Sequence, residues 1–452
     1  MIERSRRRAL FIAYTFPPVG GAGVQRTTKF VKYLPQFGWD ASVLTVSNPS
    51  VPVRDNSLCR DVPASTRIIR ARTFEPSYAK KAALVSGGGV RGPRGLVRRV
   101  LGRAIAGCLQ PDPQILWNVP AFLSGMRALR ETRHDAIVAS APPFSSLLLG
   151  AALSGASNVP LVLDYRDEWD VSNRHWENRQ LRGLSVALQR GMEKYALRRA
   201  GAVVATSPRS ASQLEGLCRK AAAAPSVGHI FNGFDPDDFS DVPANGRRSS
   251  ATLRLVYTGT LYNLASPEPL IRAIEMLAGA RPDLADRIEL VLAGRRAAEQ
   301  AQQVARIASV CRLEAYDYVS HPEAIALMHS ADVLCLLLSG LPGAERVIPA
   351  KLFEYIASQK PILAIAPPGD VWDVLRGHPS AFMRSPQDLR GISEWLVRAI
   401  ENGVRVPDAT KVDTQPFNRR RQAEHLAFVL DNLVSDAQSE RCRIPEEAPC
   451  SA

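Results

Sequence analysis

Short runs of apolar residues recur along most of the chain, and longer amphipathic segments separate them. The runs are rich in Val, Ile and Leu and lack a polar alternation, which is typical of strands buried on both faces of a parallel sheet. One intervening segment, TTKFVKYLPQFG, ends at Gly38, as expected of a helix that stops at a left-handed glycine. The pattern predicts an α/β fold with strands at 9–14, 41–46, 136–140, 160–165, 202–206, 253–259, 287–294, 316–320, 331–338 and 361–366.

The pattern stops once, at residues 236–252, where turn residues replace apolar ones. A linker there divides the chain into two Rossmann-like, doubly wound parallel-sheet domains that face a cleft. A chain of 452 residues with 46% hydrophobic content is long enough to form both. The predicted units are an N-terminal domain (1–240), a C-terminal domain (253–398), a helical segment that packs back towards the N-terminal domain (399–435) and a disordered tail (436–452).

The chain is strongly basic, with a net charge of +13. This charge suits a phosphorylated ligand, an anionic membrane face or nucleic acid, or it reflects a solvated Arg-rich surface. Within residues 79–110, cations interleave with apolar residues as on a basic amphipathic helix lying on anionic lipid, or on a solvated helix with one buried stripe. Few aromatic residues accompany them, which disfavours nucleic acid. The cations are Lys80, Lys81, Arg91, Arg94, Arg98, Arg99 and Arg103.

The seven cysteines are scattered and form no CxxC pair, which disfavours a disulfide framework or a zinc site and suits a reducing cytoplasm. Basic residues before a short apolar run at the N-terminus resemble a signal peptide. However, FPPVGG follows where a cleavage site would lie, so we interpret the run as the first strand. No apolar run approaches the roughly 18 residues of a membrane-spanning helix.

A glycine cluster, FPPVGGAGVQR, links the first strand to the first helix at residues 16–26. Such a loop places backbone N–H groups at a helix N-terminus, where they can bind an anion, and Gly20, Gly21 and Gly23 allow close approach. The third glycine of a dinucleotide fingerprint is missing, and the second run, ASVLTV, ends without a carboxylate, so an NAD site is disfavoured. A tight turn without any ligand is the alternative.

From about residue 8 to 430 the chain resembles the retaining nucleotide-sugar glycosyltransferases of the GT-B class, family 4 type (glycosyl transferases group 1). The resemblance rests on motifs in the expected order: the glycine loop, SAPPFSS (140–146), LDYRDEW (163–169), FNGFD (231–235), LVYTGTL (255–261) and PAKLFEYIASQKPILAI (349–365). It implies a cytoplasmic, hexosyltransferase-type enzyme, in peripheral contact with the inner face of the plasma membrane if its charge serves that purpose. The donor would be a UDP-sugar, or else a GDP-sugar, and the acceptor a polysaccharide, glycolipid or natural product. Neither a metal nor a cofactor is expected.

In such enzymes the C-terminal domain holds the donor, and the glycine loop of the N-terminal, acceptor-side domain faces the donor's diphosphate and sugar. By resemblance Glu354 accepts hydrogen bonds from the ribose hydroxyls, as suits an acceptor-only carboxylate. The base would lie against the backbone of Val319 and Ser320. Gly259 and Leu352 lie within the matched motifs and join the predicted donor site.

The chain departs from the family pattern at three places. Arg346, beside Glu345, stands where a first glutamate is usual, and we include it in the predicted donor site. The loop TGTLYNLASPE lacks the usual Arg and Lys for the diphosphate, so Lys351 and Arg295 are the nearest replacements, unless they are solvated surface charges.

The third departure is Arg166-Asp167, which replaces a usual His-Asp. We expect both to be catalytic, with Arg166 bonding the donor and Asp167 orienting it or the acceptor. The alternative is a structural pair between Arg166 and Asp164. Trp169 and Trp176 could stack on a sugar or pack in the core.

The resemblance implies attack on the face from which the diphosphate leaves, with a phosphate oxygen taking the acceptor's proton and the domains closing around the site. Two alternatives remain on the same scaffold. One is a nucleotide-sugar epimerase, and the other is a non-catalytic member that binds the sugar nucleotide.

Overall fold

The structure is a computed structural model that describes residues 6–51, 53–76, 109–175, 183–240, 252–404 and 413–443. Two parallel sheets form its framework. The N-terminal sheet has the order β3-β2-β1-β4-β5-β6-β7, and the C-terminal sheet has the order β10-β9-β8-β11-β12-β13. The first contains β1 (Arg7–Ile12), β2 (Trp39–Val46), β3 (Arg67–Ala71), β4 (Ala136–Ala141), β5 (Leu161–Tyr165), β6 (Ala202–Ala205) and β7 (Ser226–His229). The second contains β8 (Leu253–Thr258), β9 (Ile288–Ala293), β10 (Arg312–Tyr316), β11 (Val333–Leu337), β12 (Ile362–Ile365) and β13 (Ala381–Arg384).

Helices cover both faces of each sheet. In the first domain they are α1 (Ala22–Tyr33), α2 (Ile115–Glu131), α3 (Ser145–Ser157), α4 (Trp169–His175), α5 (Leu184–Arg199) and α6 (Pro208–Lys220). In the second they are α7 (Glu268–Ala280), α8 (Pro282–Ala285), α9 (Ala298–Ile307), α10 (His321–His329), α11 (Lys351–Ala357), α12 (Asp370–Leu375) and α13 (Leu389–Asn402). The prediction of two doubly wound α/β domains is confirmed.

The interior strands follow the apolar runs of the sequence, since each is buried along nearly its whole length. The run 316–320 was wrongly predicted as a strand. The strand beside it, β10, ends at Tyr316, and residues 317–320 form a loop before α10. The predicted stop at Gly38 is confirmed, because its φ of 82° is left-handed and it closes a 3-10 turn that follows α1.

A final helix, α14 (Arg419–Arg443), leaves the C-terminal domain and packs on the N-terminal one. Its Ala423, Leu426 and Leu430 share a core with Phe11 and Val31, on the face of the sheet that α1 also covers. Residues 436–443, which we expected in the disordered tail, continue this helix, while 444–452 lie outside the described residues. Most of the basic stretch 79–110 also lies outside them.

Both sheets reverse their strand order at a central strand, between β1 and β4 and between β8 and β11. In doubly wound folds the crevice at this reversal, beyond the carboxyl ends of the strands, is where ligands bind. The predicted linker begins with a 3-10 turn, Pro236–Phe239, and residues 241–251 of it lie outside the described ones.

Candidate active site

The glycine loop lies against the C-terminal domain. The Tyr318 hydroxyl donates to Asp55 Oδ2 at 3.2 Å, and the backbone N–H of His321 donates to the same oxygen at 3.2 Å. A Cβ on Gly20 would come within 2.8 Å of the Tyr318 hydroxyl, so this close contact requires glycine. Gly21 is exposed, has a φ of 102° and forms the N-cap of α1. The loop therefore forms one wall of an interdomain cleft.

Arg166 holds the glycine loop in place. Its guanidinium donates to the carbonyl oxygens of Gly23 and Pro142, and at 3.3 Å to that of Ala141. A Cβ on Gly23 would come within 2.7 Å of Arg166 Nη1. In this structure Arg166 thus ties the helix α1 N-terminus to the end of β4.

Asp164 pairs with a different arginine from the one expected. Arg26 of α1 binds it through Nε and Nη2, at 3.0 and 2.9 Å to Oδ1, and both side chains are buried. The alternative of a structural Arg166–Asp164 pair is therefore wrong. The neighbouring Asp167 reaches solvent in the cleft; its packed surroundings raise the pKa of its carboxyl, and Arg166 opposes this effect.

Lys351, the first residue of α11, stands at the end of β8. Its ammonium lies 3.8 Å from the centre of the Tyr257 ring and packs against Gly259, whose φ of 126° and lack of a Cβ make room for it. No described carboxylate forms an ion pair with it. Burial lowers the pKa of Lys351 to about 7, opposed by the nearby Glu354. A cation without a fixed counter-ion is suited to an anionic ligand.

Glu354 lies one turn further along α11, where both domains meet. His321 Nε2 is 2.9 Å from Glu354 Oε1, and Gln25 of α1 also bonds this carboxylate. Burial acts to raise the pKa of Glu354, but His321 and Arg419 hold it below its usual value. Burial likewise opposes protonation of His321, yet Glu354 and Asp238 raise its pKa. Each partner therefore favours the charged form of the other.

Arg346 forms an interdomain ion pair. Its Nε and Nη2 bind the two oxygens of Glu168 at 2.8 and 2.9 Å, and Nη1 binds Glu345 at 2.7 Å. This fork-to-fork geometry is the strongest form of an Arg–carboxylate contact. Arg346 thus links the domains at the rim of the cleft, and donor contact would require it to exchange these partners.

Of the remaining predicted residues, some lie in loops and others in the core. Ser320 caps α10, and both its N–H and hydroxyl bond Glu323, while Val319 precedes it in the loop beside Tyr318. Arg295 follows β9 and is half-buried. The side chains of Leu352 and Trp169 are in the core, where Trp169 stacks on Phe144 at 4.7 Å. Core packing is thus the correct alternative for Trp169; Trp176 lies outside the described residues.

Three buried carboxylates, Asp61, Asp235 and Asp238, lie behind this site with oxygens within 4.8 Å of one another. A cation already binds them, because Lys29 Nζ of α1 is 2.8, 2.7 and 3.0 Å from the three side chains. The group is therefore an ion-pair network that joins α1 to the start of the linker.

The sequence did not single out His321, Gln25, Asp55 or Glu168. Each acts by contact across the domain interface, which no spacing along the chain encodes. His321 carried one available signal: it directly follows the predicted base-binding pair Val319-Ser320.

The two-domain fold of this chain is shared by solved structures of other proteins. Solved structures with the same two-domain GT-B fold include sucrose-phosphate synthase of Thermosynechococcus elongatus, at 15% identity and a TM-score of 0.57, covering 97% of this chain and 99% of that one. Anabaena HepE with UDP-glucose has 15% identity and a TM-score of 0.54 over 97% and 100% of the two chains. A UDP-forming α,α-trehalose-phosphate synthase of Burkholderia xenovorans with glucose-6-phosphate has 13% identity and a TM-score of 0.59 over 96% and 100%.

Residues 20–224 match the glycosyl transferase 4-like domain. The chain thus has the two-domain GT-B fold, and its N-terminal domain is similar to the glycosyl transferase 4-like domain. No curated protein is significantly similar to it in sequence. Within the described residues, no helix has the length and hydropathy needed to cross a bilayer.

Proposed function

We propose that the protein transfers a sugar from a UDP-sugar, held in the cleft by the C-terminal domain, to a polysaccharide, glycolipid or natural-product acceptor, with retention of configuration. The observation that carries this proposal is the meeting of Lys351, Glu354 and the glycine loop around one interdomain cleft. Solved neighbours with UDP-glucose or glucose-6-phosphate support a UDP-sugar and a sugar acceptor.

In this proposal each wall of the cleft has its own task. Glu354 accepts the ribose hydroxyls, and His321 and Gln25 keep it ionised and oriented. Lys351 supplies the cation that the loop after β8 lacks, so that it stabilises the diphosphate as negative charge develops on departure. Gly21 and the N-terminus of α1 face the same charge from the other wall.

Departure and attack would occur on one face of the sugar, with a phosphate oxygen taking the acceptor's proton. Arg166 then acts by holding the glycine loop, and Asp167, which reaches solvent in the cleft, orients the acceptor. Base recognition falls to the backbone of Val319 and Ser320. The Glu168–Arg346 pair fixes the closed relation of the domains that excludes water.

We further propose that the enzyme works in the cytoplasm, in peripheral contact with the inner face of the plasma membrane. The net charge of +13 and the cation-rich stretch 79–110 support such contact. A lipid-linked acceptor in polysaccharide biosynthesis would then be presented at the same surface.

Turnover tests the proposal. Purified protein is incubated with a panel of UDP- and GDP-sugars, together with simple sugars and a lipid-phosphate acceptor, and products are identified by mass spectrometry and NMR of the anomeric centre. We expect transfer with retention from a UDP-sugar. Loss of transfer in Asp167→Asn, but not in the exposed-site control Glu424→Gln, would connect it to the cleft.

Other outcomes separate the alternatives. An isomerised sugar nucleotide formed without an acceptor would identify an epimerase. Tight binding of a sugar nucleotide with neither transfer nor hydrolysis would identify a non-catalytic binder. Either result would overturn the transferase assignment.

A further inference from the structure

The N-terminal domain exposes large apolar side chains on two helices, α2 and α5, which both pack against α3. Leu184 is 85% exposed, Val119 71% and Leu123 66%, and Leu188 and Tyr195 are each 47% exposed. Leu184, Leu188 and Tyr195 recur on one side of α5, and Val119 and Leu123 recur on one side of α2. We call this set of residues the outer apolar face.

A groove runs along this face between α3 and α5. It has a volume of about 530 Å³ and is lined by Leu148, Ala187, Leu188, Gly191, Met192 and Tyr195. Among the described residues no charged one lines it, and α3, SSLLLGAALSGAS, carries no charge along its whole length. Contiguous apolar surface of this kind marks an interaction site in soluble proteins.

Exposed cations lie on the same two helices as the exposed apolar side chains. Arg127 and Arg130 of α2 and Arg190 and Lys194 of α5 are exposed. The carboxylates of these two helices balance them only in part: Glu131 is shared between Arg67 at 2.5 Å and Arg127 at 3.5 Å, and Glu193 is directed towards the buried Tyr165. The face therefore has an apolar centre and a basic rim.

The basic stretch of the sequence joins the domain at the same place. Residues 77–108 lead into Gln110 and Pro111. Gln189 of α5 donates hydrogen bonds to the side chain of Gln110 and, at 3.1 Å, to the carbonyl oxygen of Pro111. Residues 77–108 contain seven cations and no carboxylate. Like charges on the stretch and on the rim repel, which disfavours the stretch as the occupant of the groove, and both are complementary to the same anionic surface.

A second copy of the chain is a poorer occupant for the same reason. A two-fold dimer through this face would bring its basic rims together, because a two-fold interface pairs each patch with itself. A bilayer with anionic headgroups satisfies both halves of the pattern, since the apolar side chains enter the acyl boundary and the cations meet the phosphates.

We propose that the outer apolar face of α2, α3 and α5 is the surface by which this protein docks on an anionic lipid bilayer. The proposal specifies the site of the peripheral contact proposed above and does not depend on the transfer chemistry. It places the acceptor-side domain against the membrane, so the membrane would present a lipid-linked acceptor to that domain.

Sedimentation with vesicles tests this docking. Full-length protein is mixed with vesicles of phosphatidylcholine alone or with added phosphatidylglycerol. The tested variants are Leu184→Gln/Leu188→Gln and Arg190→Glu/Lys194→Glu. The matched controls are Phe428→Gln, an apolar residue 65% exposed on the opposite face of the same domain, and Arg272→Glu, an exposed cation of α7.

Wild type and controls should sediment with anionic vesicles but not with neutral ones, and each lost cation should lower the partition coefficient about fivefold. The glutamine pair should abolish most binding. UDP affinity, measured by calorimetry, should stay unchanged in all variants, which separates docking from the donor site.

Three results would overturn the proposal. Full binding by both double variants would assign attachment to residues 77–108 alone. Equal binding to neutral vesicles would remove the role of the basic rim. A failure of wild type to bind, together with a dimer that the glutamine pair dissolves, would make the face a self-interface.

Discussion

The two walls of the cleft use their cations in opposite ways. On the N-terminal wall Arg26, Lys29 and Arg166 are each bound by protein groups, namely Asp164, three aspartates and backbone carbonyls. On the C-terminal wall Lys351 contacts an aromatic ring and a glycine and pairs with no described carboxylate. A paired buried cation stabilises the structure around it, whereas an unpaired one is costly unless a ligand completes it.

This difference assigns separate roles to the two walls. The N-terminal cations shape the glycine loop and join it to the linker, while the C-terminal cation is the one that we propose to bind the donor. Substitutions on the first wall should therefore change the free energy of unfolding, and substitutions on the second should change donor affinity.

The largest expected effect is on stability, from Lys29→Met. Its removal leaves three buried aspartates without their shared partner and should lower the free energy of unfolding by about 3–5 kcal/mol, as denaturant titration would show. Lys32→Met should lower the free energy of unfolding less, because Lys32 is 20% exposed and shares only two of these aspartates. Lys220→Met, at an exposed site, should leave the free energy of unfolding almost unchanged. Equal free energies of unfolding for Lys29→Met and Lys220→Met would contradict the structural role assigned to the cations of the N-terminal wall.

Lys351→Gln should act on the ligand instead. Loss of a charge-assisted contact to the diphosphate is worth roughly 1.5–3 kcal/mol, so UDP-glucose should bind about 10- to 100-fold more weakly. The free energy of unfolding should not fall, because the variant removes a largely buried cation that pairs with no described carboxylate. The control is Lys360→Gln, because Lys360 lies near Asp332 at the amino ends of β11 and β12, away from the carboxyl end of β8 where Lys351 lies. A destabilised variant with wild-type affinity would assign Lys351 to the scaffold.

A charge swap tests whether Arg346 belongs to the interdomain pair or to the donor site. Glu168→Arg and Arg346→Glu should each lower kcat/KM about tenfold, and together they should largely restore it, as coupled partners do. Glu345→Gln serves as a common background, because Glu345 would repel a glutamate at position 346. A double variant as inactive as Arg346→Glu alone would show that the donor needs the arginine.

The smallest effect is on the pH dependence of donor affinity. Because the pKa of Lys351 is lowered to about 7, the lysine is charged below that pH and loses its proton above it. The Kd for UDP-glucose should stay constant at low pH and rise by up to about tenfold per unit above pH 7. Lys351→Arg should remove the rise, and His321→Gln should keep it. A flat profile in wild type would contradict a role for the lysine charge.

The sequence predicted the fold through its interior strands. Apolar runs marked β1, β2, β4, β5, β6 and β8, β9, β11, β12, whereas β3, β7 and β13 were missed and β10 was displaced. These four are the edge strands of the two sheets. Edge strands are partly exposed and carry polar residues, as in RIIRA and SVGH, so periodicity cannot distinguish them from loops.

Residues of the candidate site could be predicted from the sequence only where they lie within a recognisable motif. Motifs predicted Glu354, Lys351 and the glycine loop as site residues, and the structure brings the three together where the domains meet. The pairing of Arg346 with Glu168, and of Asp164 with Arg26 rather than Arg166, depends on how the elements pack in three dimensions. Residues far apart in the chain leave no local signal of such contacts.

Calorimetry with UDP on Glu354→Ala tests most directly the claim that the C-terminal wall holds the donor. Glu354 is buried between His321 and Gln25 and is assigned to the ribose hydroxyls, so its loss should weaken UDP binding at least about a hundredfold in a folded protein, while the exposed Glu424→Ala binds like wild type. Wild-type affinity for UDP in a folded Glu354→Ala variant would contradict the assignment.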